Sequence, residues 1–425
     1  MNPNNSIDSK NGYIYAMIAI TMFLLLMNIV ISLGDINRFS DYVAYPVSDY
    51  LINYQGGFVR RGLMGEVFYQ IYNMHPYHLY IVVIYLNIAI FIVFMLLMLR
   101  MYNKMKWLPV FPFVFIVGKI TFYRRDFMMI LLSFFVFHYL FRYFKEHKSS
   151  CFVLSVIIML LSILVYEPSF FFIVPVAILL FFSNTQQYSL NRKFFSTFKA
   201  FVIPLIAMVL VCHFNGDEQV EYSIYRSWIP LFEWEGVKTQ MNDIMGVSFL
   251  SSSTTGIMMQ HFKMNFYGIH GQNMDLSLVL GFTLFIIGFY YLTVWIPKKQ
   301  HVDNLRLLLS DIFIIQFICL IPMFTVLSCD LGRTVLYLSF TTLIIVYMMS
   351  INKMSIRIPI VQSISNSIIS HTESVRFLHS FWFYLLIILF VPFKRAAGVP
   401  LTHNFLQEYL DMFEPLKTFI INLIK

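Results

Sequence analysis

The chain has 425 residues, of which 59% are hydrophobic and only 12% charged, and its mean hydropathy is +0.71. A soluble protein of this length does not carry that composition, so the chain reads as polytopic in a membrane. The net charge of +8 suggests a nucleic-acid partner only if its distribution is ignored, because the cations line one membrane face and so set orientation.

Apolar runs of membrane length, about 20 residues for a full crossing, predict spans near 13–33, 78–99, 107–118, 127–143, 152–166, 169–183, 200–214, 276–296, 307–328, 334–351 and 377–393. The first, Tyr13–Leu33, is long enough to span and no small-residue cleavage site follows it, so it reads as a retained helix. The 107–118 and 127–143 runs flank the charged break Lys119–Asp126, and the 152–166 and 169–183 runs flank Glu167-Pro168. These four are tilted spans or partly re-entrant pieces. The expectation is one all-α transmembrane domain over residues 1–425, with about eleven helices and a cavity opening outward.

With the N-terminus in the cytoplasm, the inside segments hold Lys10, Arg100, Lys104, Lys106, Arg142, Lys145, Lys148, Arg192, Lys193, Lys199, Lys298, Lys299, Arg306, Lys353, Arg357 and Arg376. The acids there are only Asp8, Glu146, Asp303 and Glu373. That satisfies the positive-inside rule, and the reverse orientation violates it. The outside face then receives Asp35, the loop 34–77, Lys119–Asp126, Glu167, the loop 215–275 and Asp330–Arg333. The loop 215–275 is acidic and carries Trp228 and Trp234. Loops of that length are usually functional. The last segment, Thr402–Lys425, places Phe405, Tyr409, Leu410, Phe413, Leu416, Phe419 and Ile420 on one side and reads as an interfacial amphipathic helix.

One outside stretch stands apart, Asn53-Tyr54-Gln55-Gly56-Gly57-Phe58-Val59-Arg60-Arg61-Gly62-Leu63-Met64-Gly65-Glu66. From Phe58 on, Val59, Leu63, Val67 and Ile71 recur at helical spacing, so Gly56-Gly57 reads as a turn feeding a helix N-terminus. Backbone N–H groups there, with Arg60 and Arg61 beside them, suit an anion such as a phosphate. The competing reading is contact with lipid headgroups.

Arg124, Arg125 and Arg333 also fall on the outside, each at the start of an apolar run. Charges at a membrane boundary are costly and usually face protein or water. All five outside cations singled out are arginines, whose planar fork suits bidentate phosphate contact. The alternative is local pairing: Arg125 with Asp126, Arg333 with Asp330, Arg61 with Glu66. A general base for a hydroxyl must be an acid free of a tight Arg partner. Asp35 and Glu167 meet that condition on the sequence better than Asp126 and Asp330. Asp311 lies alone in a span and reads as a helix–helix contact.

Other chemistry has little support. Cys151, Cys212, Cys319 and Cys329 are scattered without CxxC spacing. There is no HExxH and no GxSxG, and no metal site is expected. His75, His78, His261 and His270 lie outside, and His138 and His213 lie in spans without a motif around them. Most of the aromatic residues read as packing, but Trp228 and Trp234 are candidates for covering a sugar ring.

The order of outside elements resembles bacterial polysaccharide-cluster membrane proteins, and within them the Wzy-type O-antigen polymerases. Those elements are Asp35 after the first helix, Gly56-Gly57-Phe58-Val59-Arg60-Arg61-Gly62, Arg124-Arg125-Asp126 at a helix break, Tyr166-Glu167-Pro168, and Asp330-Leu331-Gly332-Arg333. The chain is also similar, more distantly, to GT-C glycosyltransferases, where an acid ending the first helix is the base; Asp35 matches that position. It departs from the better-known polymerases in having its sizeable outside loops early. The resemblance implies a multi-pass enzyme of the bacterial inner membrane with its active face periplasmic. It would polymerise undecaprenyl-pyrophosphate-linked repeat units into O-antigen or capsular polysaccharide, without a cofactor or metal. Asp35 or Glu167 would be the base, and Arg60, Arg61, Arg124, Arg125 and Arg333 would hold the pyrophosphate, supported by Gly56, Gly57, Asp126 and Asp330. Its partners would be membrane lipids, a chain-length regulator and a flippase. The alternatives are a GT-C transferase adding one sugar from a polyprenyl-phosphate donor, and a lipid-linked glycan transporter. Arginines gathered on one face count against transport.

Overall fold

The structure is a computed structural model that describes residues 45–105, 125–184, 190–241, 244–248, 250, 254–267, 303–327, 331–354, 356, 358–375, 377 and 382. The described residues are all-helical, with no strand among them. Asp35, Arg124, Asp330, the runs 13–33, 107–118 and 276–296, nearly all of 377–393, and the segment 402–425 lie outside the described residues.

In chain order the helices are α1 (Tyr45–Ser48), continued by a 3-10 turn (Asp49–Leu51), α2 (Gly62–Met74), α3 (Leu79–Met105), α4 (Asp126–Glu146), α5 (Ser149–Val165), α6 (Ser169–Asn184), α7 (Leu190–His213), α8 (Glu218–Glu235), α9 (Met245–Ser248), α10 (Thr254–Tyr267), α11 (Asp303–Pro322) with a π turn (Met323–Leu327), α12 (Leu331–Asn352) and α13 (Pro359–Ser374). Five segments among the described residues are long and apolar enough to cross a membrane: Leu79–Met101, Asp126–Glu146, Asn191–His213, Arg306–Leu327 and Arg333–Asn352. α5 and α6 are apolar but shorter, 17 and 16 residues. At 1.5 Å per residue each reaches about 25 Å, short of a hydrocarbon core of about 30 Å.

Local chemistry sets the helix ends. Asp126 opens α4 and Lys145 lies in its last turn, each matching the helix dipole. Pro168 disfavours helical backbone at Glu167, so α5 stops and the chain turns sharply, with Ser169 N–H donating to Tyr166 O at 3.0 Å. Asp217 caps α8 by accepting from Val220 N at 2.8 Å, and Gly236 ends it in the left-handed region at φ 69°.

α12 is the central helix, and nearly all of its apolar span is buried. It packs on α4 and α11, and aromatic contacts tie the bundle together: Tyr337 stacks on Phe172 at 4.4 Å, and Phe340 meets Phe94 edge-on at 4.8 Å. The outer spans are apolar toward the exterior. Tyr85, Ile92, Leu96 and Leu99 on α3 are more than half exposed, as lipid-facing side chains require.

A second, separate core covers one end of the bundle. It is made from Val47, Tyr50, Leu51, Ile52, Val59, Phe68, Trp228, Leu231, Ile244 and Val247. The described parts of the two stretches read as loops, 34–77 and 215–275, thus fold against each other. Trp228 Nε1 donates to Leu51 O at 2.7 Å, Asn53 Nδ2 to Ser227 Oγ at 2.8 Å, and Gly246 N to Ser48 Oγ at 3.0 Å.

The helix expected from Phe58 starts later. Gly57, at φ +108°, turns the chain and donates to Tyr54 O at 3.0 Å, but α2 begins only at Gly62. Residues 58–61 form the lead-in, held where Arg60 N donates to Phe214 O at 3.0 Å. The buried face also differs. Gly65, Phe68 and Tyr72 turn inward, whereas Val67 and Ile71 are each 46% exposed. The apolar stripe is therefore split: Val59 is buried and Leu63 half-buried, while Val67 and Ile71 lie on the outer face of α2.

Candidate functional site

Residues from five parts of the chain meet at the covered end of the bundle. Arg125 and Asp126 begin α4, Tyr166 and Glu167 make the α5–α6 turn, Arg333 lies in the first turn of α12, Asp49 comes from the 3-10 turn, and Arg60 and Arg61 precede α2. The helices alternate in direction, so each reaches the same end.

Three guanidinium groups surround one ring. The Cζ atoms of Arg61, Arg125 and Arg333 lie 5.1, 5.2 and 5.4 Å from the centroid of Tyr166. An aromatic face attracts each cation, by up to about 2 kcal/mol where water is excluded, but three like charges so close repel one another. Three carboxylates offset that. Arg61 grips Glu167 through Nε at 2.8 Å and Nη2 at 2.6 Å. Arg125 pairs with Asp49 and donates to Val165 O at 3.0 Å. Arg333 Nε and Nη2 each lie 2.9 Å from Asp126 Oδ1, which also accepts from the Tyr337 hydroxyl. Asp49 links two of the pairs, with Oδ1 3.9 Å from Arg61 Nη1.

These partners differ from the local ones. Arg333 takes Asp126 and Arg61 takes Glu167. Glu66 instead accepts from Tyr54 N at 2.9 Å and Gln70 Nε2 at 2.6 Å. Glu167 was expected to be free of a tight arginine, and it is not. Burial raises its pKa, but the charge and hydrogen bonds of Arg61, with Arg60 nearby, outweigh that and hold it at about 2. Such a carboxylate is a weak base and a strong anchor.

The cluster has a deep side and an accessible side. Arg125, Asp126, Asp49 and Arg333 are buried, while Arg60, Arg61 and Glu167 are partly exposed. Arg61 is left-handed at φ 64° and ψ 4°, a costly conformation for a side chain of this size. Gly65 lets the 50–52 backbone lie against α2, since a Cβ there would lie 1.9 Å from Ile52 O.

His261 on α10 borders the accessible side. It contacts the backbone of Val326 and Leu327 in the π turn and feels the charge of Arg60 and Arg61. Burial first, then those arginines, lower its pKa, so it is neutral at physiological pH. Trp228 does not face a ligand. It is 1% exposed and anchors the covering core, which corrects its expected role against a sugar. Trp234 is 50% exposed. Gly56 and Gly57 shape the turn that leads to Arg60 and Arg61. Asp49, Tyr166, Tyr337 and His261 carried no assigned role in the sequence. Among the described residues no group of three or more His, Cys, Asp or Glu is placed to hold a metal ion.

No family model, no curated protein and no solved structure matches the chain.

Proposed function

We propose that the chain is a metal-independent glycosyltransferase that polymerises undecaprenyl-pyrophosphate-linked repeat units into O-antigen or capsular polysaccharide. The observation that carries this reading is the convergence of Arg61, Arg125 and Arg333 on Tyr166, with Arg60 at the accessible edge, at one end of an apolar helical bundle. Cations are disfavoured at the outer end of a membrane protein, and charges placed at a membrane boundary mark function by default. In this reading the cluster end faces the periplasm, the N-terminus is cytoplasmic, about eleven helices span the inner membrane, and the cavity opens outward. A flippase and a chain-length regulator are its partners.

An acceptor sugar hydroxyl attacks the anomeric carbon of the donor glycan. The bond from that carbon to the pyrophosphate oxygen breaks, and its electron pair stays on the pyrophosphate. Arg60 and Arg61 meet the growing negative charge, already oriented before the reaction. Arg125 and Arg333, held in buried pairs, fix the cluster and add to its field. The acceptor proton passes to Asp35, because Glu167 is committed to Arg61. Lipid-linked donor reaches the site laterally from the bilayer.

One observation favours a second reading. Of the described cluster arginines, only Arg60 and Arg61 are partly exposed, and two arginines match a single phosphate. That fits a GT-C transferase that adds one sugar from a polyprenyl-monophosphate donor.

Complementation of a polymerase-null strain tests both. The wild-type gene restores a polysaccharide ladder under the first reading and a single decorated band under the second. Arg60→Ala and Arg61→Ala abolish either product at unchanged protein level. Normal product in both variants would sink the assignment.

A further inference from the structure

The covering core ends in a surface cluster that the transfer chemistry does not use. Trp234, in the last turn of α8, is half exposed, and its ring lies 4.8 Å from that of His78 at an interplanar angle of 33°. His78 precedes α3 and its side chain is 53% exposed, whereas that of Glu235 is 3% exposed. The imidazole Nδ1 lies 3.3 Å from Glu235 Oε1. The buried carboxylate thus sits against the Nδ1 side of a half-exposed imidazole. Tyr80 adds a third ring 6.1 Å from His78.

We propose that Trp234, His78 and Glu235 form a glycan-binding subsite separate from the arginine cluster. The inference rests on the glycosyl-transfer reading above. An indole face covers the apolar face of a pyranose, and a fixed imidazole beside it pairs with a ring hydroxyl; an aromatic body with a polar handle suits such a half-wet contact. Glu235 is a positioning residue, acting through His78.

Location supports the assignment. The α8 backbone at Val220 abuts Gly56, next to Arg60 and Arg61. Trp234 lies fourteen residues further along α8, about 20 Å at the helical rise. The start of α3 is at the same bundle end as the cluster, because Tyr50, beside Asp49, donates to Asn87 of α3 at 3.0 Å. A subsite that far from the phosphate ligands serves an extended oligosaccharide rather than the reacting sugar.

The test uses the full-length protein in nanodiscs on an array of oligosaccharides cut by partial acid hydrolysis from the source organism's own surface polysaccharide. Wild type is expected to bind chains and not monosaccharides. Trp234→Ala and His78→Ala weaken binding about tenfold, as expected for loss of one aromatic face or its polar partner, and Arg60→Ala leaves it unchanged. Glu235→Gln weakens binding less than His78→Ala. Equal binding by wild type and Trp234→Ala, or no binding by wild type, overturns the proposal and makes Trp234 an interfacial membrane anchor. The two readings fail separately. Trp234-dependent binding with normal product from Arg60→Ala removes the transfer mechanism and keeps the subsite. Lost product in Arg60→Ala with a blank array does the reverse.

Discussion

Arg333 and Asp126 stand 207 positions apart in the chain, yet two guanidinium nitrogens of the first lie 2.9 Å from one carboxylate oxygen of the second. The pair joins the starts of α12 and α4, and the Tyr337 hydroxyl closes it on the same oxygen. Both residues are almost fully buried. The central helix is therefore pinned to its neighbour by charge at the end that carries the candidate site, and by apolar packing elsewhere.

Breaking this pair should damage the fold before it damages chemistry. Arg333→Ala or Asp126→Ala leaves a buried, uncompensated charge, which costs about 3–5 kcal/mol. Both single variants are expected to lose membrane abundance and melting temperature. A neutral double variant, Arg333→Met with Asp126→Leu, should cost less than the two singles added together. Thermal unfolding of detergent-purified protein measures the coupling, and simple additivity would contradict it.

Glu167 predicts a different dependence, on pH. Its carboxyl is held at about 2 in the folded protein against an ordinary 4.5. A depressed pKa means the folded state binds the proton less readily than the unfolded state. The stabilisation is therefore full above pH 4.5 and disappears as pH falls from 4.5 toward 2. Glu66 is also lowered: burial works against it, and hydrogen bonds from Gln70, the Tyr54 backbone and Gln55 prevail. The readout is thus the difference between wild type and Glu167→Gln. The variant should melt lower at pH 7, by about 1.5–3 kcal/mol for charge-assisted hydrogen bonds lost, and converge on wild type near pH 2.

The spans and the site residues differ in how far the sequence reveals them. The 78–99, 127–143, 307–328 and 334–351 runs are legible because a stretch of that length with at most one charge, Arg142 in the second and Asp311 in the third, has few other uses. Arg60, Arg61, Arg125 and Arg333 are legible as singular because arginine is costly beside lipid. Their partners are not. Arg61 and Glu167 are 106 positions apart, and only the packing of α5 against α2 chooses that pair over the nearby Glu66. Asp49 lies in an ordinary stretch, Tyr45-Pro46-Val47-Ser48-Asp49-Tyr50-Leu51, with nothing to set it apart. The α2 stripe shows a further limit: periodicity identifies an apolar face but not what covers it, and Val67 and Ile71 face outward.

Gly65 supplies a test of how the covering core positions Asp49. A methyl group there would meet Ile52 O at 1.9 Å and Tyr50 O at 2.9 Å, both backbone atoms that cannot rotate away. Gly65→Ala must push the 49–52 segment off α2, at about 1–3 kcal/mol of overpacking. Since Asp49 pairs with Arg125 and approaches Arg61, the displacement should also lower the transfer activity proposed above. Gly57→Ala is the control. Nothing lies within 4 Å of its Cβ, and only its φ of +108° resists the change. It should lose stability through the turn alone, with less effect on product. Equal loss of product in the two variants would separate the 49–52 segment from the site.

His261 gives a second pH window, well above that of Glu167. Burial, aided by Arg60 and Arg61, lowers its pKa below 6.5, while its contacts with the Val326 and Leu327 backbone work the other way. The folded state therefore resists a proton that the unfolded state accepts. Stability is full above pH 6.5 and declines as pH falls through the folded pKa. The strained element is the contact of α10 with the π turn, so amide protection factors there, corrected for the intrinsic pH dependence of exchange, should fall below pH 6 while those of α4 and α12 hold. His261→Gln cannot take up a proton and should remove the dependence in that window, leaving the slope below pH 4.5 intact. A His261→Gln protein that still loosens at α10 between pH 7 and pH 5 would assign the effect to another group.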